Sequence, residues 1–125
     1  MAVMAVRGVR GAVQAEANTA RAILDATKKL LQAMVRENDI KTEDIVSIIF
    51  TVTSDLNADF PAHGARELGW LDVPLLCATE IPVPGSLDRV IRVLMLVNTS
   101  KTQQEIKHVY LGETARMRED LAKKK

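Results

Sequence analysis

An arginine lies in the middle of the most apolar segment of this chain, residues 90–97. The segment is short and rich in β-branched residues, which predicts a strand rather than a helix. Side chains alternate along a strand, so Arg92 shares one face with Leu94 and Leu96, while the opposite face is apolar throughout. A strand with two apolar faces is expected to be buried on both of them.

A buried Arg92 needs an anionic partner, because a guanidinium keeps its proton and is almost never fully buried alone. From this strand alone, an internal ion pair is the simpler interpretation. Further arginines favour a ligand: Arg10 in the first apolar segment, and Arg116 and Arg118, which a short extended segment would place on one face. Glu80 ends an apolar run and is the one carboxylate opposite them. Several arginines around one carboxylate indicate a ligand with more than one negative group.

The composition predicts a single globular domain over residues 1–125, with about 119–125 as a flexible charged tail. A hydrophobic content of 47% is enough to build a core. A net charge of +1 provides no basic field for nucleic acid, and one cysteine excludes an internal disulfide and fits a reducing compartment. Since no signal peptide or segment of membrane-spanning length occurs, we expect a cytoplasmic protein.

Hydrophobic periodicity predicts the element order β-α-β-α-β-β-β. The strands are predicted over 3–12, 45–53, 75–80, 90–97 and 107–111. A long helix is predicted to begin at the cap Asn18-Thr19 and to end at Asn38 in a left-handed conformation, and a short helix over 61–68.

This order predicts the α+β class, with a mixed five-stranded sheet and both helices on one face. One long and one short helix cannot cover a sheet whose strands are apolar on both faces. We therefore expect the other face to be buried against further copies of the chain in a closed cyclic oligomer, with pockets between subunits.

Motifs for covalent, metal or nucleotide chemistry are absent from the sequence. There is no G-x-x-x-x-G-K-[ST] loop, no G-x-G-x-x-G after a strand and no G-x-S-x-G elbow. His63 and His108 lack metal-ligand spacing, and Cys77 stands alone within a strand, where a small buried hydrophobe is the default. A site of arginines and one carboxylate binds and polarises its ligand, which suits chemistry without a metal, a nucleophile or a cofactor.

Several short segments occur in an order that matches a known family. They are Arg7-Gly8-Val9-Arg10-Gly11-Ala12, Asp55-Leu56-x-Ala58-x-Phe60-Pro61-Ala62, Cys77-x-x-Glu80, Ile91-Arg92-Val93 and His108-Val109-Tyr110-Leu111. Together they resemble the monofunctional chorismate mutases of the trimeric α/β-barrel class, over residues 7–121. The resemblance implies a homotrimeric pseudo-α/β barrel with active sites at subunit interfaces. It also implies the conversion of chorismate to prephenate, without a cofactor, in the shikimate branch that leads to phenylalanine and tyrosine.

The resemblance further implies the roles of individual residues. Arg10 and Arg92 would bind the dicarboxylate, and Arg92 would also reach the ether oxygen whose bond breaks. Glu80 would accept hydrogen bonds from the substrate hydroxyl and from an arginine. The substrate-binding residues around these three would be Tyr110, Cys77, Phe60, Leu75, Arg66 and Arg118. His63, where some relatives have lysine, and Glu119, in place of an expected proline, are departures at the pocket rim.

Two other classes of protein could use the same arginines. One is a trimeric binding or regulatory protein for a carboxylated metabolite, and the other is an imino-acid deaminase of similar barrel shape. Neither accounts for the whole ordered set of segments.

Overall fold

The computed structural model describes residues 3–118 and contains five strands, two α-helices and three short 3₁₀ helices. The strands are β1 (Ala5–Gln14), β2 (Ile45–Val52), β3 (Leu75–Thr79), β4 (Val90–Thr99) and β5 (Val109–Tyr110), and the α-helices are α1 (Ala20–Glu37) and α2 (Ala62–Glu67). The 3₁₀ helices are Thr42–Asp44, Gln103–Glu105 and Gly112–Arg118. The predicted element order and the α+β class are confirmed; the predicted flexible tail, 119–125, lies outside the described residues.

The strands form one mixed five-stranded sheet, as the sequence predicts, and their order is β3-β2-β4-β1-β5. Strand β4 is antiparallel to both of its neighbours, β1 and β2, whereas the outer strands β3 and β5 run parallel to their partners. The strand that carries Arg92 is therefore the central one, and Arg92 lies between Ala12 of β1 and Thr51 of β2.

Both helices lie against one face of this sheet. Thr19 caps α1 by accepting a hydrogen bond from the backbone N–H of Ala22, and the apolar side of α1 is buried. Gly11 on β1 permits this close packing, since a Cβ there would lie 2.5 Å from Sδ of Met34. Helix α2 packs on α1 where Gly64 meets Thr27.

The opposite face of the sheet carries large apolar side chains that remain exposed in the single chain. The cross-strand register places Val6, Leu76 and Leu94 on this face, and they are 52%, 62% and 39% exposed. Isolated exposed apolar residues are ordinary, but a set on one sheet face indicates a surface that another molecule covers. We call it the open face.

Three local predictions are wrong. The left-handed residue after α1 is Asp39 (φ 51°) and not Asn38 (φ −115°). The cause is that the buried Asn38 side chain donates to the carbonyls of Met34 and Lys107, which holds Asn38 in place. Asn38 also accepts from the Lys107 backbone N–H, so that residue does not join β5, which is only two residues long. Arg116 lies in a 3₁₀ helix rather than an extended segment.

The cause of this last difference is Thr114, which is fully buried. Its hydroxyl bonds the carbonyls of Ala12 and Leu111, and these contacts fold the chain back onto β1. The first strand is also shifted toward the C-terminus, since its register with β4 continues to the pair Gln14 and Val90. Over residues 3–118, no helix combines the length and the apolar character that crossing a membrane requires.

Candidate active site

A cleft of about 510 Å³ opens on the open face of the sheet. Among residues 3–118, its polar lining consists of Arg10, Thr51, Thr79, Glu80, Arg92, Tyr110 and Arg118, and its apolar walls include Ile49, Leu94 and Met117. Every strand contributes to this lining, β3 through its last residue, Thr79, and Glu80 follows directly after it.

The sheet register brings these side chains together. Arg92 is paired with Thr51 on one side and Ala12 on the other, and Ala12 is in turn paired with Tyr110 of β5. Arg10 is paired with Leu94, which puts its side chain diagonally across from Arg92 on the same face. Residues far apart in the sequence thus converge at the middle of the sheet.

Arg92 and Glu80 form a two-pronged ion pair within the cleft. Nε of Arg92 donates to Oε2 of Glu80 over 2.6 Å, and Nη2 donates to Oε1 over 2.7 Å. The Arg92 guanidinium holds the pKa of Glu80 below its ordinary value. The Thr51 hydroxyl, which donates to Oε2, has a smaller effect in the same direction. The hydrogen bond to Glu80 in turn raises the pKa of Arg92, so the pair stays ionised.

The described lining of the cleft contains more arginines than carboxylates. Among residues 3–118, the guanidinium groups are those of Arg10, Arg92 and Arg118, and the carboxylate is that of Glu80. Arg10 is exposed, and its backbone N–H is fixed by a 2.9 Å hydrogen bond to Nδ1 of His108. This excess of positive charge supports the prediction of an anionic ligand with more than one negative group.

A second cleft of about 410 Å³ lies beside β3 and the start of α2. Phe60, which is 62% exposed, lines it together with His63 and Cys77. Nδ1 of His63 lies 2.6 Å from Oδ1 of Asp59, and burial raises the pKa of the Cys77 thiol. The two clefts have only Thr79 in common among their described lining residues.

The predicted site residues therefore fall into separate groups within one chain. The first cleft brings together Arg10, Glu80, Arg92, Tyr110 and Arg118, and the second brings together Phe60 and Cys77. Leu75 packs against the core, and Arg66 is exposed on α2; neither lines these two clefts. The roles that the resemblance assigns to these residues remain predictions.

Thr51 was not predicted as a site residue, although the sequence contains a signal for it. It is a polar residue in the otherwise apolar run 48–52, and period-two alternation places it on one face with Ile49. Its pairing with Arg92 depends on the order of the strands, which the sequence pattern does not provide. Within residues 3–118, no group of three or more histidine, cysteine, aspartate or glutamate side chains is arranged to hold a metal ion.

Comparison with known proteins identifies the family. The family model described as chorismate mutase type I matches residues 6–121. The chain belongs to the chorismate mutase type I family. The resemblance found in the sequence is thereby confirmed, and the match favours this class over the binding-protein and deaminase alternatives.

Chorismate mutase type I relatives match over nearly their whole length. The chorismate mutase AroH of Thermus thermophilus is 53% identical over 117 residues, which cover 93% of this chain and 96% of that protein. AroH of Bacillus subtilis (strain 168) is 45% identical over 120 residues, covering 95% and 94%. A solved chorismate mutase from Clostridium thermocellum superposes with a TM-score of 0.86 at 50% identity, covering 87% of this chain and 97% of that one.

Proposed function

We propose that this chorismate mutase family member rearranges chorismate to prephenate in the cleft of the open face, with Arg92, Glu80 and Arg10 as its catalytic residues. The observation that carries this assignment is that Arg10 and Arg92 meet at the centre of the sheet, where Glu80 is the one carboxylate among the described lining residues. Chorismate carries two carboxylates and an ether oxygen, so its charge complements this lining. The reaction belongs to the biosynthesis of phenylalanine and tyrosine, and a cytoplasmic location would suit it.

The rearrangement is an intramolecular pericyclic step in which a C–O bond breaks while a C–C bond forms. It therefore requires no general acid, general base or cofactor. The protein can select the compact, chair-like conformer of a flexible substrate, which reduces the entropic part of the barrier. Arg10, Arg118 and the hydroxyl of Tyr110 can fix the two substrate carboxylates in that conformer.

Arg92 supplies the second contribution, which is electrostatic. The ether oxygen gains negative charge as its C–O bond breaks, and a guanidinium already fixed beside it stabilises that charge without reorganisation. The ion pair with Glu80 uses two of the five N–H donors of Arg92, which leaves three for other acceptors. Because this contact strengthens only as the bond breaks, it increases kcat rather than binding alone.

The assembly that fits this site is a homotrimer with pockets between subunits. The exposed apolar residues of the open face need cover, and the second cleft offers the walls that the first one lacks. In this arrangement Phe60 and Cys77 of one subunit, with Leu75 and Arg66 nearby, complete the pocket that contains Arg92 of the next.

Incubation of the purified protein with chorismate tests the proposed function. The diene absorbance of chorismate should disappear, and NMR should identify prephenate, since an isomerisation leaves the mass unchanged. Binding of chorismate without turnover would indicate the binding-protein class. Release of ammonia from an imino acid, with chorismate unchanged, would indicate the deaminase class.

A further inference from the structure

Thr51 contacts the Glu80 carboxylate from a strand other than the one that carries Arg92. Its side chain lies on the open face, half-buried, between Arg92 of β4 and Ala78 of β3. Its hydroxyl donates a hydrogen bond to Oε2 of Glu80, the same oxygen that accepts from Nε of Arg92. One carboxylate oxygen is thus held by two donors from two different strands.

These contacts fix the Glu80 carboxylate from several directions. The backbone N–H of Glu80 donates to the carbonyl of Val52 over 2.8 Å, which extends the hydrogen bonding between β3 and β2 by one residue. Arg92 alone fixes the carboxylate within the plane of its guanidinium, but both groups could swing together on their side chains. Thr51 adds a hydrogen-bond donor from β2, the strand next to β4, and so ties the carboxylate of the pair to a second strand.

We propose that Thr51 is a positioning residue: its hydroxyl holds the Glu80 carboxylate, and through it the Arg92 guanidinium, in the orientation that the reacting substrate meets. The inference rests on the proposed function, because Glu80 and Arg92 are assigned their roles there. Thr51 itself need not touch the substrate. An ionised carboxylate only accepts hydrogen bonds, so the threonine hydroxyl must be the donor.

The test compares Thr51→Val, which keeps the shape and removes the donor, with Thr51→Ser, which keeps the donor. Steady-state kinetics are measured from about pH 4 to pH 8. Hydrogen bonds to charged groups are worth enough to predict a fall in kcat of about tenfold in Thr51→Val, with KM changed by less than about threefold. Thr51→Ser should restore kcat to within about twofold of the wild type.

The pH profile separates positioning from a merely structural contact. Thr51 lowers the pKa of Glu80, so its removal should leave Glu80 protonated at higher pH and shift the acid limb of kcat/KM upward. In Thr51→Ser this limb should stay where the wild type has it. The proposal would be overturned if Thr51→Val had the wild-type kcat and an unshifted acid limb of kcat/KM. It would also be overturned if Thr51→Ser lost as much kcat as Thr51→Val.

A further variant and a titration without substrate complete the test. If Thr51→Val does not assemble as the wild type does, Thr51→Ala removes the same donor with less volume and carries the same expectations. The Glu80 carboxyl titration is also followed by ¹³C NMR without substrate, and it should move upward in the variant that lacks the hydroxyl. A wild-type protein that leaves chorismate unchanged refutes the proposed function, while this titration still decides whether Thr51 controls Glu80.

Discussion

Two hydrogen bonds, of 2.6 Å and 2.7 Å, join the Arg92 guanidinium to the Glu80 carboxylate. Arg92 is nevertheless 46% exposed toward the cleft, while Glu80 is only 16% exposed. The two interpretations of a charged residue in an apolar strand, an internal ion pair and a ligand-binding arginine, are therefore not exclusive. Glu80 holds the guanidinium by two hydrogen bonds, and the Arg92 side chain is still exposed enough to meet a ligand in the cleft that both residues line.

Arg92→Lys should keep the fold and lose catalysis. Lysine retains the charge, but its ammonium is a point donor that cannot bond Glu80 with two prongs and reach the ether oxygen at once. We expect a loss of transition-state stabilisation of about 3 kcal/mol or more, seen mainly in kcat. Steady-state kinetics together with thermal unfolding provide the measurement. Wild-type kcat in a variant that unfolds readily would show that Arg92 is a structural residue.

The Glu80 pair should also contribute stability that depends on pH with a definite sign. The folded-state pKa of Glu80 lies below its ordinary value of 4.5, so the contribution is fully present above about 4.5 and is lost as the pH falls through the lowered folded value. Urea unfolding of the wild type and of Glu80→Gln, from pH 7 downward, measures it. Their difference in unfolding free energy should stay constant above pH 5 and shrink below it. A difference that grows on acidification would contradict this assignment.

We expect the chain to sediment as a trimer at micromolar concentration. Leu76→Lys should weaken the assembly, because Leu76 is 62% exposed on the open face, where burial of a charge is costly. Leu71→Lys is the control, since Leu71 is 75% exposed but lies in the loop between α2 and β3. Sedimentation velocity distinguishes the two. A monomeric wild type would exclude both the trimer and a pocket between subunits.

Truncation after Ala115 should mainly raise KM, with a smaller effect on kcat. It removes Met117 and Arg118 from the cleft but leaves Arg92 in its strand. Arg118→Ala should reproduce most of the change, whereas Arg116→Ala should not, because the Arg116 side chain is 76% exposed and paired with Glu113. A fall in kcat as large as that of Arg92→Lys would place the C-terminal segment in the catalytic centre.

Gly64→Ala should destabilise the packing of α2 on α1. A Cβ there would lie 3.0 Å from both Cβ and Cγ2 of Thr27, which is fully buried, and 3.2 Å from the carbonyl oxygen of Leu24. Overpacking of this kind costs about 1–3 kcal/mol, more than the roughly 1 kcal/mol gained in helix propensity. Chemical unfolding measures the change. Thr27→Ser removes Cγ2 and should recover part of the loss in the double variant; strict additivity of the two changes would contradict the steric cause.

The parts of the fold that local patterns control were predictable from the sequence. Helix α1 and strand β4 follow from the spacing of their apolar residues, and the ion pair with Glu80 follows from the need of the Arg92 guanidinium for an anion. The expected burial of Arg92 is wrong for the single chain, in which its side chain is 46% exposed. The errors occur where contacts distant in sequence decide the local backbone. Asn38 is held by Lys107, which is 69 residues away, and no pattern near Asn38 reveals that partner.

The candidate site was likewise predictable in part from the sequence. Arg10, Arg92 and Glu80 converge because the sheet register brings them together, and the sequence could name these three residues but not that register. The separation of Phe60 and Cys77 from Arg92 could not be predicted, since the sequence does not show which of the predicted site residues share a cleft in the single chain.

That separation has a genetic consequence. Arg92 belongs to one cleft and Phe60 to another, so in the proposed assembly each subunit gives its arginines to one pocket and its aromatic wall to a different one. Two alleles, one defective at Arg92 and one defective at Phe60, can then complement each other when both are expressed in one cell. A mixed trimer of the two products contains a pocket built from two undamaged halves, whereas a single allele with both lesions supplies neither.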